Sequence, residues 1–333
     1  MGLRKADNPL DDGDFVLMSE RFARELGEAS GPIDTLAVAT ALQVLAVDWA
    51  VLTPAQQGAL IREAARALGG IGGQVAEAVD TQFRTTLSLT VADTKVAVSE
   101  QLSFRLGLSF TEVDQRVVDS VRSSSGFFIR GEYANHAHAF TRNAQTIVAE
   151  GLAQGLRSAE IANDLQAAAQ KIGLQRTANY WQVTAMAAQN RARTLTQLNS
   201  YQQAGIRRYE FQAIMDERTT DICRMLDGRV FAVEEGLRSY RAVEEDSHFD
   251  AVKDHQPWVR SRRSEDPDAQ KDLYIKQRSG QEVLVARVTQ SAVGTKDRPG
   301  RFTNAMDNGT LAGFGVIQPP LHGKCRSTIA PLG

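Results

Sequence analysis

The chain has 333 residues, a formal charge of −2 at pH 7 and 42% hydrophobic residues, with aromatics at only 7%. That length accommodates about two domains of ~100–200 residues each. Near-neutral charge argues against a domain whose whole surface is built for nucleic acid, and two cysteines cannot make a disulfide-dense secreted framework. No apolar run follows Met1-Gly2-Leu3-Arg4-Lys5, so no signal peptide is expected. Ala6 stands where an N-myristoylation pattern needs Ser or Thr. No run approaches the ~18–20 apolar residues that span a bilayer. The composition excludes a membrane-spanning reading and points to synthesis in the cytoplasm.

Residues 1–14 read as a polar tail. Two helices are expected next, one near 16–28 and an Ala- and Val-rich one from Ile33 to Leu52. Thr53 fits an N-cap with Pro54 in the first turn, and Gly69-Gly70 ends that helix. Gly72-Gly73 opens a longer pattern in which Val75, Val79, Phe83 and Leu87 recur on one helical face. It continues to Leu106. Thr111 and Asp114 start another helix, and Ser123-Ser124-Ser125-Gly126 reads as its break and as a domain boundary. Phe127 to Gly131 then reads as a short extended or turning element. A helix follows from about Tyr133 to Gly155. Its His136 and His138 are two apart, which puts them on different sides and fits a surface or interface role better than a ligand pair.

Ser158 is expected to cap the next helix, with Glu160 near the positive end of its dipole and Gly173 at its end. A long helix runs from about Gln175 to Ala204, with Asn190 and Arg191 polar near its middle. Arg191 shares a stripe with apolar residues, so it either reaches a carboxylate of the next domain or snorkels to solvent. After Gly205 the period changes. Tyr209, Phe211, Ala213 and Met215 alternate as in a strand. Asp216, Arg218 and Thr219 read as a turn, Asp221 to Leu226 as a short helix, Asp227-Gly228 as a tight turn, and Arg229 to Val233 as a second strand. Residues 234–272 are charged and read as irregular, Val283 to Val288 as a strand or short helix, and 289–313 as loop. Pro319-Pro320 blocks regular structure, and Arg326 to Ala330 reads as a last strand paired near the first. The fold class is α+β multidomain: a helical N-terminal region (1–126), a helical connector (127–205) and a small α+β module (206–333) with a long insertion at about 234–315.

Both cysteines lie in this module, and His322 stands three residues before Cys325. Cys223, His322 and Cys325 are ligands of the kind zinc prefers, with Asp216 or Asp221 as a fourth. The same residues also fit a Cys223–Cys325 disulfide or packed thiol pair. A third fit is a Cys/His nucleophilic site with Arg326 stabilising an anion. Arg260, Arg262 and Arg263 beside Trp258 are the candidate nucleic-acid contact, although Glu265, Asp266 and Asp268 offset them and favour a solvated loop.

The order Asp216-x-Arg218-Thr219, Cys223, Leu226-Asp227-Gly228, then Pro319-Pro320-x-His322-x-x-Cys325-Arg326 resembles the C-terminal domain of phage minor head proteins of the Mu F type, the head morphogenesis proteins. The helix with Leu156 to Ala162 and the long Asn/Arg-bearing helix are similar too, while residues 1–130 carry no resemblance. The family implies a minor capsid component of a phage or prophage, not an enzyme. It implies association with the portal protein in the head interior, contact with packaged double-stranded DNA, and a place in the virion after assembly in the host cytoplasm. Carried over by position, the motif residues are Asp216, Arg218, Thr219, Cys223, Asp227, Gly228, Pro320, His322, Cys325 and Arg326, which form a structural clamp. Family members often have cysteine where Thr220 and Ser327 stand, so a residual thiol pair with no cofactor is favoured here, and zinc is the second choice. The rival function is a metal- or thiol-dependent hydrolase or toxin-like effector using Cys223, His322 and Cys325.

Overall fold

The computed structural model describes residues 12–102, 107, 109–174 and 178–332. In chain order the helices are α1 (Asp12–Leu45), α2 (Pro54–Gly69), α3 (Gly72–Ala78), α4 (Asp80–Leu102), α5 (Glu112–Ala153), α6 (Ser158–Leu174) and α7 (Ala178–Gln203). The C-terminal part holds β1 (Arg208–Gln212), α8 (Asp221–Leu226), β2 (Val230–Ala232), α9 (Val233–Glu245), α10 (Val252–His255), β3 (Val259–Arg263), β4 (Lys271–Lys276), β5 (Glu282–Gln290), β6 (Arg301–Thr303), α11 (Asn308–Gly313) and β7 (Thr328–Leu332). The protein is thus α+β, with a long helical N-terminal region and small antiparallel sheets after it. Among the described residues, no helix is long and apolar enough to cross a membrane.

The described chain packs into two compact units. One takes in the residues through Phe22, Phe83–Ser124 and Val183 onward, and the other Ala23–Gln82 and Ser125–Gln182. The second unit is all helical. Its core joins Leu45, Trp49, Ile61, Leu68, Phe140, Ile161 and Leu165. Thr53 starts α2 as a reciprocal cap: its hydroxyl accepts from the Gln56 amide at 3.4 Å, and the Gln56 side chain accepts from its own amide at 2.9 Å. Ser158 does not cap α6. It is the first helical residue, and its hydroxyl donates to Asp48 and accepts from Ala50. Arg157 takes the capping place, its amide donating to Glu160 at 2.8 Å.

Two expected breaks are absent. Helix α1 runs through Pro32, because one missing backbone bond is outweighed by the buried Leu26, Ala37, Ala41 and Leu45 on either side. Helix α5 runs through Ser123 to Gly126 and through Phe127 to Gly131. Serine disfavours helix by offering the backbone competing hydrogen bonds. Here Ser124 spends its hydroxyl on the Val121 carbonyl one turn back, at 3.0 Å. The helix continues because Val121, Ile129 and Tyr133 are fully buried. His136 and His138 lie on this helix, half-buried and exposed. The expected extension of α4 to Leu106, the tail before Asp12 and the start of α7 at Gln175 fall outside the described residues.

The other unit contains two sheets. The first is antiparallel in the order β2-β1-β7, with Glu210 facing both Val230 and Ala330. The last strand therefore does pair with the first. The second is a meander, β3-β4-β5-β6. Residues 234–272 are consequently not irregular. Val233, Leu237, Tyr240 and Val243 give α9 one buried face, and charge at the intervening positions hides that period. Side chains stitch the insertion to α8: Lys271 pairs with Asp221 at 2.9 Å, and Arg224 donates to the Thr295 carbonyl at 2.7 Å.

Close helix packing in the all-helical unit yields a test. A Cβ on Gly69 would lie 2.2 Å from the Ala137 Cβ, whereas Gly73 has open space around it. We expect Gly69→Ala to lower stability by roughly 1–3 kcal/mol through overpacking, and Gly73→Ala to be neutral or to raise it by up to ~1 kcal/mol through helix propensity. Urea denaturation of both variants checks the contrast.

Candidate functional site

The site begins with strand β1 leaving the sheet. Beyond Gln212 the chain turns at Asp216, whose carboxylate accepts from the Arg218 amide at 2.9 Å. The Thr219 hydroxyl accepts from the Asp216 amide at 2.9 Å and donates to the Ile214 carbonyl. The family-like Asp-x-Arg-Thr pattern is thus a self-bonded turn: Asp and Thr tie its backbone, and the Arg218 side chain points out, 68% exposed. Helix α8 follows and is buried along its whole length. Asp227 closes the return, accepting from the Ala213 amide at 2.9 Å. Gly228 takes φ +80°, the left-handed region that favours glycine, and its amide reaches the Phe211 carbonyl at 2.9 Å.

The second half of the site arrives from the far end of the chain. Pro320 is buried and joined to Pro319 by a cis peptide bond. His322 to Cys325 form a tight turn, with the Cys325 amide donating to the His322 carbonyl at 3.2 Å. Arg326 reaches back to Asp216, its Nη2 lying 2.6 and 2.7 Å from the two carboxylate oxygens. Burial would raise the Asp216 pKa, but the hydrogen bond and charge of Arg326, with the amide of Arg218, hold it below the usual carboxylate range.

Cys223, His322 and Cys325 meet in this corner. The Cys223 Sγ lies 3.4 Å from His322 Nε2 and 3.9 Å from the Cys325 Sγ. The two sulfurs are not bonded to each other. Cys223 is pushed well up by its hydrogen bond to Cys325 and by burial. Burial opposes ionisation of Cys325 too, but the bonds from Cys223 and His322 prevail and draw its pKa well down. Neither carboxylate expected to complete a ligand set is at hand for it. Asp216 is held by Arg326, and Asp221 by Lys271 at 2.9 Å and Ser291 at 2.8 Å. The cleft over the cluster is lined by Arg218, Thr219, Thr220, Lys324 and Arg326, among others, and measures about 10 Å³. Substrate pockets are of the order of ~300–1,000 Å³. The cleft is thus far smaller than a substrate pocket of the ordinary kind.

What positions Cys325 and Arg326 is helix α7, and most of that role is invisible to a hydrophobic pattern. Asn190 donates to the Cys325 carbonyl at 2.7 Å. Arg193 donates to the Ser327 carbonyl at 2.7 Å and the Arg326 carbonyl at 3.2 Å. Gln197 and Tyr201 each donate to the Ile329 carbonyl at 3.1 Å. These positions fall on one helical face, and all are buried. Spacing alone would have found them, had polar residues been counted as candidates for a buried stripe. Arg191, by contrast, hydrogen-bonds to no carboxylate among the described residues. Its Nη1 donates to the Ser124 hydroxyl at 3.1 Å, and its guanidinium lies over the Tyr240 ring at 5.8 Å. A second missed residue is Arg224, buried at 2% exposure, which donates to the carbonyls of Asp216, Thr219, Thr295 and Arg298.

The expected nucleic-acid residues lie on the strand next to this corner, where the Val259 amide donates to the Leu321 carbonyl at 2.9 Å. Arg260, Arg262 and Arg263 lie on β3, an exposed edge strand instead of a loop. Arg262 pairs with Glu282 at 2.5 Å and lies over the Tyr274 ring at 4.6 Å. Arg260 and Arg263 are exposed and make no ion pair among the described residues. Trp258 is 37% exposed beside them.

Residues 142–256 match the model of the family described as Phage Mu protein F like protein. The match supports the reading of this chain as a phage head morphogenesis protein and covers α6, α7, the Asp216 turn, α8 and α9. No curated protein and no solved structure matches the chain.

The Asp216–Arg326 pair makes stability depend on pH. A carboxylate whose folded pKa is depressed adds stability above its unfolded pKa, ~3.9, and loses it as pH falls through the folded value. We expect the wild type to lose this increment below about pH 4, and Asp216→Asn to lack that part of the acid dependence. At neutral pH the variant should be less stable by about 2–3 kcal/mol, because the buried Arg326 loses the opposing charge of Asp216. Chemical denaturation from pH 3 to pH 7 compares the two proteins.

Proposed function

We propose that the protein is a minor head protein that works in phage or prophage head assembly, joins the portal on the head interior and stays in the virion. The observation that carries this reading is the match to the Mu F-like family over residues 142–256. The Pro-Pro-x-His-x-x-Cys-Arg segment lies outside that match, yet it is bound to the matched helix α7 through Asn190 and Arg193. The two halves of the family-like pattern thus belong to one packed corner. Asp216, Arg218, Thr219, Cys223, Asp227, Gly228, Pro320, His322, Cys325 and Arg326 act as its clamp. The small cleft and the bonding of Asn190, Arg193 and Arg224 to backbone carbonyls support a part that holds a shape and is bound by partners.

Contact with packaged DNA, on this reading, runs through Arg260 and Arg263. They extend from an exposed edge while Arg262 is neutralised by Glu282. Two phosphate contacts are few, so the contact is weak and independent of sequence.

Co-expression with the portal protein of the same genome tests the head role. The chain should co-elute with the portal ring and appear in assembled heads; a chain that elutes alone and is missing from heads contradicts it. For DNA, the double variant Arg260→Glu/Arg263→Glu should weaken duplex binding and flatten the plot of log affinity against log salt by about 1.8, two phosphates at ~0.9 each. An unchanged slope refutes the assignment.

A further inference from the structure

We propose that Cys223, His322 and Cys325 bind one zinc ion as its three protein ligands, with the fourth position left open to the cleft beside Arg218 and Lys324. Among the described residues, these three form a group whose ligand atoms all lie within 4.8 Å of one another. A tetrahedral zinc with Zn–S ~2.3 Å and Zn–N ~2.0 Å separates its sulfurs by ~3.8 Å and a sulfur from a nitrogen by ~3.5 Å. The observed separations are 3.9 Å for Cys223 to Cys325 and 3.4 Å for Cys223 to His322 Nε2. These two edges match the tetrahedron, and the third, Cys325 to His322, is no longer than 4.8 Å.

The three side chains are also held in place by bonds that involve none of their ligand atoms. Cys223 sits in α8, whose end is fixed by the Asp227 carboxylate on the Ala213 amide. Cys325 is held through its carbonyl by Asn190 at 2.7 Å, and its neighbour Arg326 by Asp216. The His322–Cys325 turn is closed by its own backbone bond. A site assembled in this way loses little freedom when an ion enters, which favours binding.

The fourth ligand is not a protein carboxylate, because Asp216 and Asp221 are each held by a cation. Cys223 and His322 line the cleft of about 10 Å³, roughly the ~10–15 Å³ that one water needs. Two thiolates and a divalent ion sum to zero charge, and the surrounding Arg218 and Lys324 then favour a water or a small anion at the open position. Three protein ligands and one exchangeable position is the coordination of an open zinc site, not of a closed four-ligand knuckle.

The inference is independent of the head role, because zinc content is measured on the isolated full chain. Purified under reducing conditions and dialysed against metal-free buffer, the chain should retain one zinc by elemental analysis. Zinc clearly below one per chain, or an intact mass showing two hydrogens lost to a disulfide, overturns the proposal. Cobalt(II) exchanged for zinc should give sulfur-to-metal charge-transfer bands and intense tetrahedral visible bands, and added azide should shift the visible bands. Bands that do not move with azide overturn the open fourth position. His322→Ala should weaken zinc binding by at least ~10-fold. If it misfolds, the wild-type zinc and cobalt measurements still decide the question.

Discussion

Buried backbone carbonyls must be hydrogen-bonded, and the end of this chain meets that requirement with side chains of one helix. Strand β7 pairs with β1 on one side. On the approach to it the carbonyls of Cys325, Arg326 and Ser327 lie outside the strand, and within it the Ile329 carbonyl also turns to α7. Asn190, Arg193, Gln197 and Tyr201 of α7 donate to them instead. Each carbonyl left unpaired would cost about 1–3 kcal/mol. The central face of α7 is therefore polar and buried at once, and the helix cannot be understood apart from the last strand.

The same device recurs through the unit. Arg224 gathers four carbonyls from the Asp216 turn and from the 295–298 loop. Arg229 donates to the Met306 carbonyl at 2.7 Å, and Asn308 returns a bond to the Val230 carbonyl at 3.0 Å. Such bonds are directional, so they fix register where a lean core of few aromatics would leave it loose. Their product is a corner in which two sulfurs and an imidazole from remote segments converge within ångströms. The corner's chemistry follows from its supports: two thiols 3.9 Å apart beside an imidazole, a carboxylate neutralised by arginine, and a small cleft above them.

Much of this corner was legible in the amino-acid order. Alternation marked β1, Asp227-Gly228 marked the turn, and the short helix between them begins and ends as read, at Asp221 and Leu226. The convergence of Cys223 with His322 and Cys325 followed from their chemical type, not from periodicity. What stayed hidden has physical causes. The serine run at 123–125 is a local helix breaker, but tertiary burial of Val121, Ile129 and Tyr133 overrides it. Helix α9 and strands β3 and β4 lie within dense charge, which masked periods that become plain once one buried face is known. The polar face of α7 escaped because a hydrophobic pattern registers only burial that apolar residues achieve.

Native-state hydrogen exchange on the wild type and on Gln197→Ala tests most directly whether α7 and the terminal strand stand or fall together. In the wild type, the amides of β1 and β7 should open only with those in the middle of α7. The variant should lower protection in all three elements by a similar factor. Amides of β7 that exchange through a separate, low-energy opening while α7 stays protected would contradict the account.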